Sequence, residues 1–202
     1  MNTICTGVIL AGGLNTRFGG KPKALLEVGG TRIIDRVLAV FGEIFKDILL
    51  VTNDPQSYLQ WDLTLVTDLH PVRSSLSGLH AGLFYMRTPY AYFSACDTPF
   101  LKPAMVQAVL DRIRPTVDVV LPRTAKGNEP LSAVYARRCL EPIERQLARG
   151  DLKIDHFFSK VRVSPILETQ LRRVDAALAS FFNVNTPQDL AAARAQMAAM
   201  VD

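Results

Sequence analysis

The sequence predicts an α/β protein, with a mostly parallel sheet between helices on both faces. Three observations predict it. Short apolar runs alternate with segments of helical period through the first half of the chain. The first of these runs empties into a glycine pair and a basic loop, as strands do at the ligand-binding edge of such a sheet. The chain is also long enough to bury a core on both sheet faces, with 202 residues, 49% of them hydrophobic and 21% charged.

The first strand is expected over residues 6–10. It runs into Ala11-Gly12-Gly13 and a polar loop that reaches Lys23. Residues 31–45 read as an amphipathic helix, with Ile34, Val37, Leu38 and Phe41 on one face. Residues 47–52 and 63–67 have the composition of short buried strands. Residues 77–87 read as a helix, with small residues where it packs closely, and residues 91–95 as a strand ending at Cys96-Asp97. A helix over 104–113 follows Pro103, then a strand over 117–121. Beyond it, residues 131–135 suit an antiparallel strand, 139–148 a helix, 171–174 a further strand and 187–200 an Ala-rich helix. One domain is expected, divided into a first half, 1–122, that carries the glycine loop, and a second, 123–202, that completes the sheet.

The formal net charge is +4, from 23 basic and 19 acidic residues. This mild excess suits a polyanionic small ligand such as a triphosphate. No dense Lys/Arg run with interleaved aromatics argues for nucleic acid. The pairs Arg137-Arg138 and Arg172-Arg173 read as solvated faces. Cys5, Cys96 and Cys139 are odd in number, widely spaced and without a Cys-x-x-Cys pair, which reads as reduced thiols in a reducing compartment. Residues 1–13 lack the basic and apolar regions of a secretion signal, and no apolar stretch approaches the ~20 residues of a membrane span. A cytoplasmic protein with no membrane partner is expected.

Chemistry concentrates at three places. At the first, Leu10-Ala11-Gly12-Gly13 is followed by Arg17, Gly19, Gly20, Lys21 and Lys23. Glycines let backbone N–H groups approach phosphates, and Arg17 and Lys23 supply charge where pyrophosphate would leave. Neither G-x-x-x-x-G-K-[ST] nor G-x-G-x-x-G is present, because Pro22 follows Gly20-Lys21 and Asn15 stands where the first glycine of the former would be. The plain alternative is a glycine-rich turn with surface lysines.

The second place is Cys96-Asp97-Thr98-Pro99-Phe100. A carboxylate that follows a buried strand shares the edge with the glycine loop and suits Mg²⁺, which takes hard oxygen ligands alongside phosphate oxygens. The alternative is that Asp97 caps the turn before the Pro103 helix. Asp68 sits on the same edge, in reach of base, ribose or metal. Asn53-Asp54-Pro55 reads first as a turn. The third place is Phe182-Asn183-Val184-Asn185-Thr186-Pro187. Thr186 as cap, with Pro187 and Asp189 in the first turn, explains a helix start. It leaves Asn183 and Asn185 to line a polar site from one side of an extended segment. His80 reads as structural, and His70 and His156 have no evident partners. No Ser-His-Asp or Cys-His set is recognisable. Transfer to a phosphate monoester needs none, because that nucleophile is already largely anionic at neutral pH.

Taken in order, Leu10-Ala11-Gly12-Gly13, Arg17-Phe18-Gly19, Lys23-Ala24-Leu25-Leu26, Cys96-Asp97-Thr98-Pro99-Phe100-Leu101 and Phe182-Asn183-Val184-Asn185-Thr186-Pro187 resemble the MobA family of molybdenum cofactor guanylyltransferases, over about residues 6 to 195. The opening motifs are shared across the nucleotidyltransferase superfamily, and the last is more specific to the MobA type. The resemblance implies a three-layer αβα Rossmann-like nucleotidyltransferase fold. It also implies Mg²⁺-dependent transfer of GMP from GTP to molybdenum-bound molybdopterin, with pyrophosphate released. By position it implies nucleotide contacts at Leu10, Ala11, Gly12, Gly13, Lys23, Asn53, Asp68, Gly78 and Asp97. Arg17, Lys23 and Asp97 would be catalytic, Asp97 would hold the metal, and Asn183 and Asn185 would meet the acceptor. Residues 1–122 become the nucleotide-binding half and 123–202 the acceptor-binding half. The expected partners are GTP, molybdopterin and molybdoenzymes or their chaperones. Two departures stand out: Pro22 where the family usually has Asp, and Ser74-Ser75-Leu76-Ser77-Gly78 where it often has Gly-Pro-Leu-x-Gly. The same fold acting on CTP with molybdopterin, or on a sugar phosphate, is one alternative. A non-catalytic nucleotide or cofactor carrier is another.

Overall fold

A computed structural model describes residues 2–13 and 18–200. Strand β1 (Cys5–Leu10) lies between the parallel strands β4 (Ile48–Val51) and β6 (Tyr90–Ala95). Strand β5 (Thr64–Val66) extends the sheet beyond β4, also in parallel. On the other side β9 (Ser132–Ala136) pairs antiparallel with both β6 and β7 (Val119–Thr124), so β7 again runs parallel to β1. An edge strand, β10 (Val163–Leu167), is parallel to β7, and the short β8 (Gly127–Asn128) folds back on β7. The order across the sheet is β10-β7-β9-β6-β1-β4-β5. All strands but β8 and β9 therefore end on one edge, and that edge carries the candidate site.

The period-2 alternation of the strands sends side chains into two cores. Ile9, Tyr92, Val120 and Val134 pack with α1 (Ile33–Ile44) and α3 (Pro103–Leu110). Their neighbours Val8, Phe93, Val119 and Tyr135 pack on the other face with α2 (Ser75–Tyr85) and α4 (Leu140–Leu147). The three expected layers result. Gly82 shows how closely α2 sits: a Cβ there would lie 2.6 Å from the Phe93 ring and 2.8 Å from Val8. Helix α6 (Pro187–Ala198) starts as the sequence predicts, with Thr186 Oγ1 accepting from Asp189 N–H at 3.1 Å and Asp189 accepting from Thr186 N–H at 2.8 Å.

Three local expectations need correction. The helix expected over 31–45 begins later, because Thr31–Arg32 is a strand, β3, paired with β2 (Glu27–Val28). Gly29 and Gly30, at φ 59° and 73°, make the turn between them, and only glycine takes two positive φ values in succession cheaply. Residues 171–174 are not a strand: Leu171 ends a short helix, α5 (Glu168–Leu171), and is fully buried. The strand lies earlier, in β10, where Pro165 masks it. Proline survives there because β10 is an edge strand paired on one side only. The second helix occupies Ser75–Tyr85, two residues ahead of its expected span.

Candidate active site

The end of β1 is held between its neighbours by backbone bonds, Ala11 N–H to Val51 O at 2.8 Å and Cys96 N–H to Leu10 O at 3.1 Å. This brings the glycine loop and the Asp97 turn together. Gly12, Gly13, Lys23, Asp68, Gly78 and Asp97 line one cavity of about 330 Å³. Leu10 lies in its wall. Ala11, Gly12, Gly13 and Asn53 line an adjoining recess of about 160 Å³. Arg17 lies outside the described residues.

Asp97 is buried and does not cap a helix; Lys102 occupies the N-cap of α3 instead. Its Oδ2 pairs with Lys23 Nζ, and Lys23 Nζ also donates to Asn185 Oδ1 at 2.9 Å. The short 3-10 turn Lys23–Leu25 starts at Pro22, whose carbonyl accepts from Leu25 N–H at 3.0 Å. That turn aims Lys23 back over the sheet edge. Val184 N–H donates to Asp97 O at 2.9 Å, which docks the C-terminal segment on the Asp97 turn and presents Asn185 to the lysine. Asn183 does not join them, because its amide donates to Phe181 O at 3.2 Å. Asp97 Oδ1 is buried and accepts no hydrogen bond from the described residues.

Asn53 and Asp68 form a second pair. Asn53 Nδ2 donates to Asp68 Oδ2 at 2.8 Å, and Asp68 N–H to Asn53 Oδ1 at 3.4 Å. Asn53 therefore does more than make the turn, although the turn is present, followed by a 3-10 helix over Pro55–Tyr58. Asp68 Oδ1 is also buried, with no donor among the described residues. A Cβ on Gly78 would stand 3.8 Å from that oxygen and 3.4 Å from Leu10, so glycine keeps this wall open. The N-terminus of α2 faces the same cavity through Ser74, Ser75 and Gly78. Ser74 caps it, accepting from Ser77 N–H at 3.0 Å, and the helix dipole favours an anion there. The departure at 74–78 thus preserves a capped helix end on the cavity.

Sequence reasoning missed Arg73, an exposed side chain that lines both the main cavity and its recess. It sits in the loop before α2, and only the fold brings it to the glycines. The cysteines carry no chemistry: burial pushes the thiols of Cys5, Cys96 and Cys139 up to about 12, so each is a neutral thiol at pH 7. His80 packs between α2 and α4 with Nε2 3.2 Å from Glu144, and His156 pairs with Asp151 at 2.8 Å. His70 accepts from Val72 N–H at 3.3 Å. None of the three lines the cavity. Among the described residues no helix is long and apolar enough to cross a membrane.

The edge joins a glycine loop, a lysine, a capped helix end and two carboxylates, each with one buried oxygen that has no donor among the described residues. Comparison with known proteins adds the family. Residues 7–164 match the family described as the MobA-like NTP transferase domain. The chain is 47% identical over 194 residues to a molybdenum cofactor guanylyltransferase of Desulfosudis oleivorans, with 96% of each chain covered. It is 38% identical over 189 residues to a probable molybdenum cofactor guanylyltransferase of Pelotomaculum thermopropionicum, covering 94% of this chain and 91% of the other. Among solved structures, the molybdopterin-guanine dinucleotide biosynthesis protein A of Archaeoglobus fulgidus superposes with a TM-score of 0.85 at 28% identity, over 96% of this chain and all of that one. The matched span covers most of the chain, and it holds both carboxylates and the lysine; the chain belongs to the MobA-like NTP transferase family.

Proposed function

We propose that this protein transfers GMP from GTP to molybdenum-bound molybdopterin, a pterin that ends in a phosphate monoester, and releases pyrophosphate. The observation that carries the reading is the Lys23–Asp97–Asn185 cluster, whose lysine and aspartate line the cavity of about 330 Å³ together with the glycine loop. The names of the relatives supply the base and the acceptor.

The residues fit a Mg²⁺ ion. Asp97 Oδ1 is a buried hard oxygen with no hydrogen bond from the described residues, as a cation ligand would be. No cluster of three or more His, Cys, Asp or Glu forms among the described residues. That suits Mg²⁺, which takes one or two carboxylates and completes its shell with phosphate oxygens and water. When bound, the ion supplies Lewis-acid polarisation and neutralises phosphate charge.

The chain's own groups do the rest. Backbone at Gly12 and Gly13 and the N-terminus of α2 receive the triphosphate. Asp68, fixed by Asn53, offers its unpaired oxygen to the nucleoside's N–H and O–H donors. Arg17 and Arg73 place positive charge where pyrophosphate departs. Lys23, tethered at once to Asp97 and Asn185, orients the acceptor phosphate, which attacks without a protein base. In this reading residues 1–122 hold the nucleotide and 123–202 meet the acceptor, with Asn185 reaching across and Asn183 bracing the segment.

Asp97→Ala tests the reading. The backbone bond that docks Val184 remains, so the variant folds. Pyrophosphate release from GTP with Mg²⁺ and molybdopterin should fall by about 10²-fold or more, the scale of losing one preorganised electrostatic group. Turnover at the wild-type rate would remove Asp97 from the mechanism.

A further inference from the structure

A second cavity, of about 250 Å³, opens on the same sheet edge beyond the ends of β7 and β10. Thr124, Glu129, Leu178, Phe181, Phe182 and Gln196 line it. It lies close to the reaction centre. Phe182 is two residues from Val184, whose N–H bonds Asp97 O, so the wall stands within about 10 Å of the Asp97 backbone by chain reach alone. The volume is below the ~300–1,000 Å³ of pockets that take whole drug-sized ligands, and suits a single ring system.

The walls are rigid. Asp175, almost wholly buried, accepts from Lys102 Nζ at 2.8 Å, from Ser180 N–H at 2.8 Å and from Ser180 Oγ at 2.9 Å. This ties the loop that carries Leu178, Phe181 and Phe182 to the segment just beyond Asp97. Phe182 also packs edge-on against Phe100, with ring centroids 5.7 Å apart. Leu178 holds φ 53°, the one positive value at a non-glycine among the described residues, a strain of the sort kept at functional sites.

One lining carboxylate, Glu129, shares the wall with Lys126 and keeps one oxygen free of the fold. Glu129 is half-buried; its Oε1 accepts from Thr124 Oγ1 at 3.0 Å, and Oε2 accepts no hydrogen bond from the described residues. Burial raises its pKa above the ordinary glutamate value. A carboxyl half-withdrawn from water that shares a cavity with two aromatic rings is an arrangement that can read the N–H edge of a flat heterocycle.

We infer that this cavity is the ring subsite for the acceptor, taking its pterin against Phe181 and Phe182 with the amino and ring N–H donors on Glu129, while the acceptor's phosphate lies at Lys23. The inference rests on the transferase reading above and adds to it the residue that recognises the ring. The two places lie on one sheet edge, as a substrate with a heterocycle at one end and a phosphate at the other requires.

The test uses pterin itself, the ring without the phosphate arm, titrated by fluorescence quenching against the full chain. Glu129→Ala and Ala177→Trp are the variants; Ala177 is exposed at the cavity wall, so tryptophan fills the space from outside the core. Both should weaken pterin about tenfold or more, the scale of one charge-assisted hydrogen bond, and raise the KM for molybdopterin by as much, with the KM for GTP unchanged. Wild-type pterin binding and acceptor KM in both variants would overturn the subsite and leave the transferase reading standing. Loss of GTP affinity instead would reassign the cavity to the nucleotide. A wild-type protein that binds pterin in a Glu129-dependent way yet releases no pyrophosphate from GTP would sink the transferase reading and keep the subsite.

Discussion

Asp118 offers a stability prediction that can be worked through from its surroundings. It is buried at the start of β7, on the edge opposite the site. Arg138 Nε pairs with its Oδ1, and Arg162 reaches it from the backbone N–H at 2.7 Å and from Nε at 3.2 Å. Burial alone would raise its pKa, but the bonds from Arg162 and Arg138 win and bring it from 3.8 to about 2. A carboxylate whose pKa is depressed on folding adds stability above its unfolded pKa and loses it as pH falls through the folded one. At ~1.36 kcal/mol per pH unit the ceiling is about 2.5 kcal/mol. The side chains of Arg138 and Arg162 are 44% and 62% exposed, and solvent screening reduces the expectation to about 1 kcal/mol. The assay is urea unfolding of wild type and Asp118→Asn at pH 6 and at pH 2.5. Because pH 2.5 still lies above the folded pKa, about two thirds of this is lost there, and the stability gap between the two proteins should be about 0.7 kcal/mol wider at pH 6 than at pH 2.5. An equal gap at both pH values would show that the ionised form of Asp118 gains nothing from the arginines, and would refute the reasoning.

Two further outcomes follow from the packing and the site. Gly82→Ala forces a methyl group onto Phe93 and Val8 at under 3 Å, and overpacking of this sort costs ~1–3 kcal/mol, read as a fall in the urea midpoint with an unchanged slope. A variant as stable as wild type would mean that α2 moves away freely. Arg73→Ala should raise the KM for GTP about tenfold through loss of one charge-assisted phosphate contact, and leave stability within ~0.5 kcal/mol because the side chain is exposed. An unchanged KM would show that Arg73 lines the cavity without touching the nucleotide.

Much of this was legible in the sequence where a local pattern decides the structure. Strand β1 followed by Gly12-Gly13, Asp97 behind an apolar strand, and the Thr186-Pro187 start of α6 each carry their meaning in a few consecutive residues, and each sits where the pattern placed it. Lys23 and Asp97 were expected at one edge, and they meet there. What escaped depends on neighbours distant in sequence. Glycines 29 and 30 make a hairpin whose strands are only two residues each, too short to show alternation against the helical period that follows. Pro165 is tolerable only because the sheet stops at β10. Arg73 and Glu129 are a loop cation and a hairpin carboxylate with nothing special about them until the fold turns them toward cavities. Asn183 and Asn185, one residue apart from a common neighbour, were expected to act together. The bond from Val184 to Asp97 fixes the extended segment between them, and the first turns to Phe181 while the second reaches Lys23.

The central claim is a guanylyl transfer to a phosphorylated pterin, and pyrophosphate release tests it most directly. Wild-type protein, Mg²⁺ and molybdenum-bound molybdopterin would be combined with GTP and, separately, with CTP. The account predicts pyrophosphate from GTP and little or none from CTP, with none from GTP when molybdopterin is withheld. Release from CTP at an equal or greater rate would contradict the guanylyl assignment, and release from neither nucleotide would contradict the transferase.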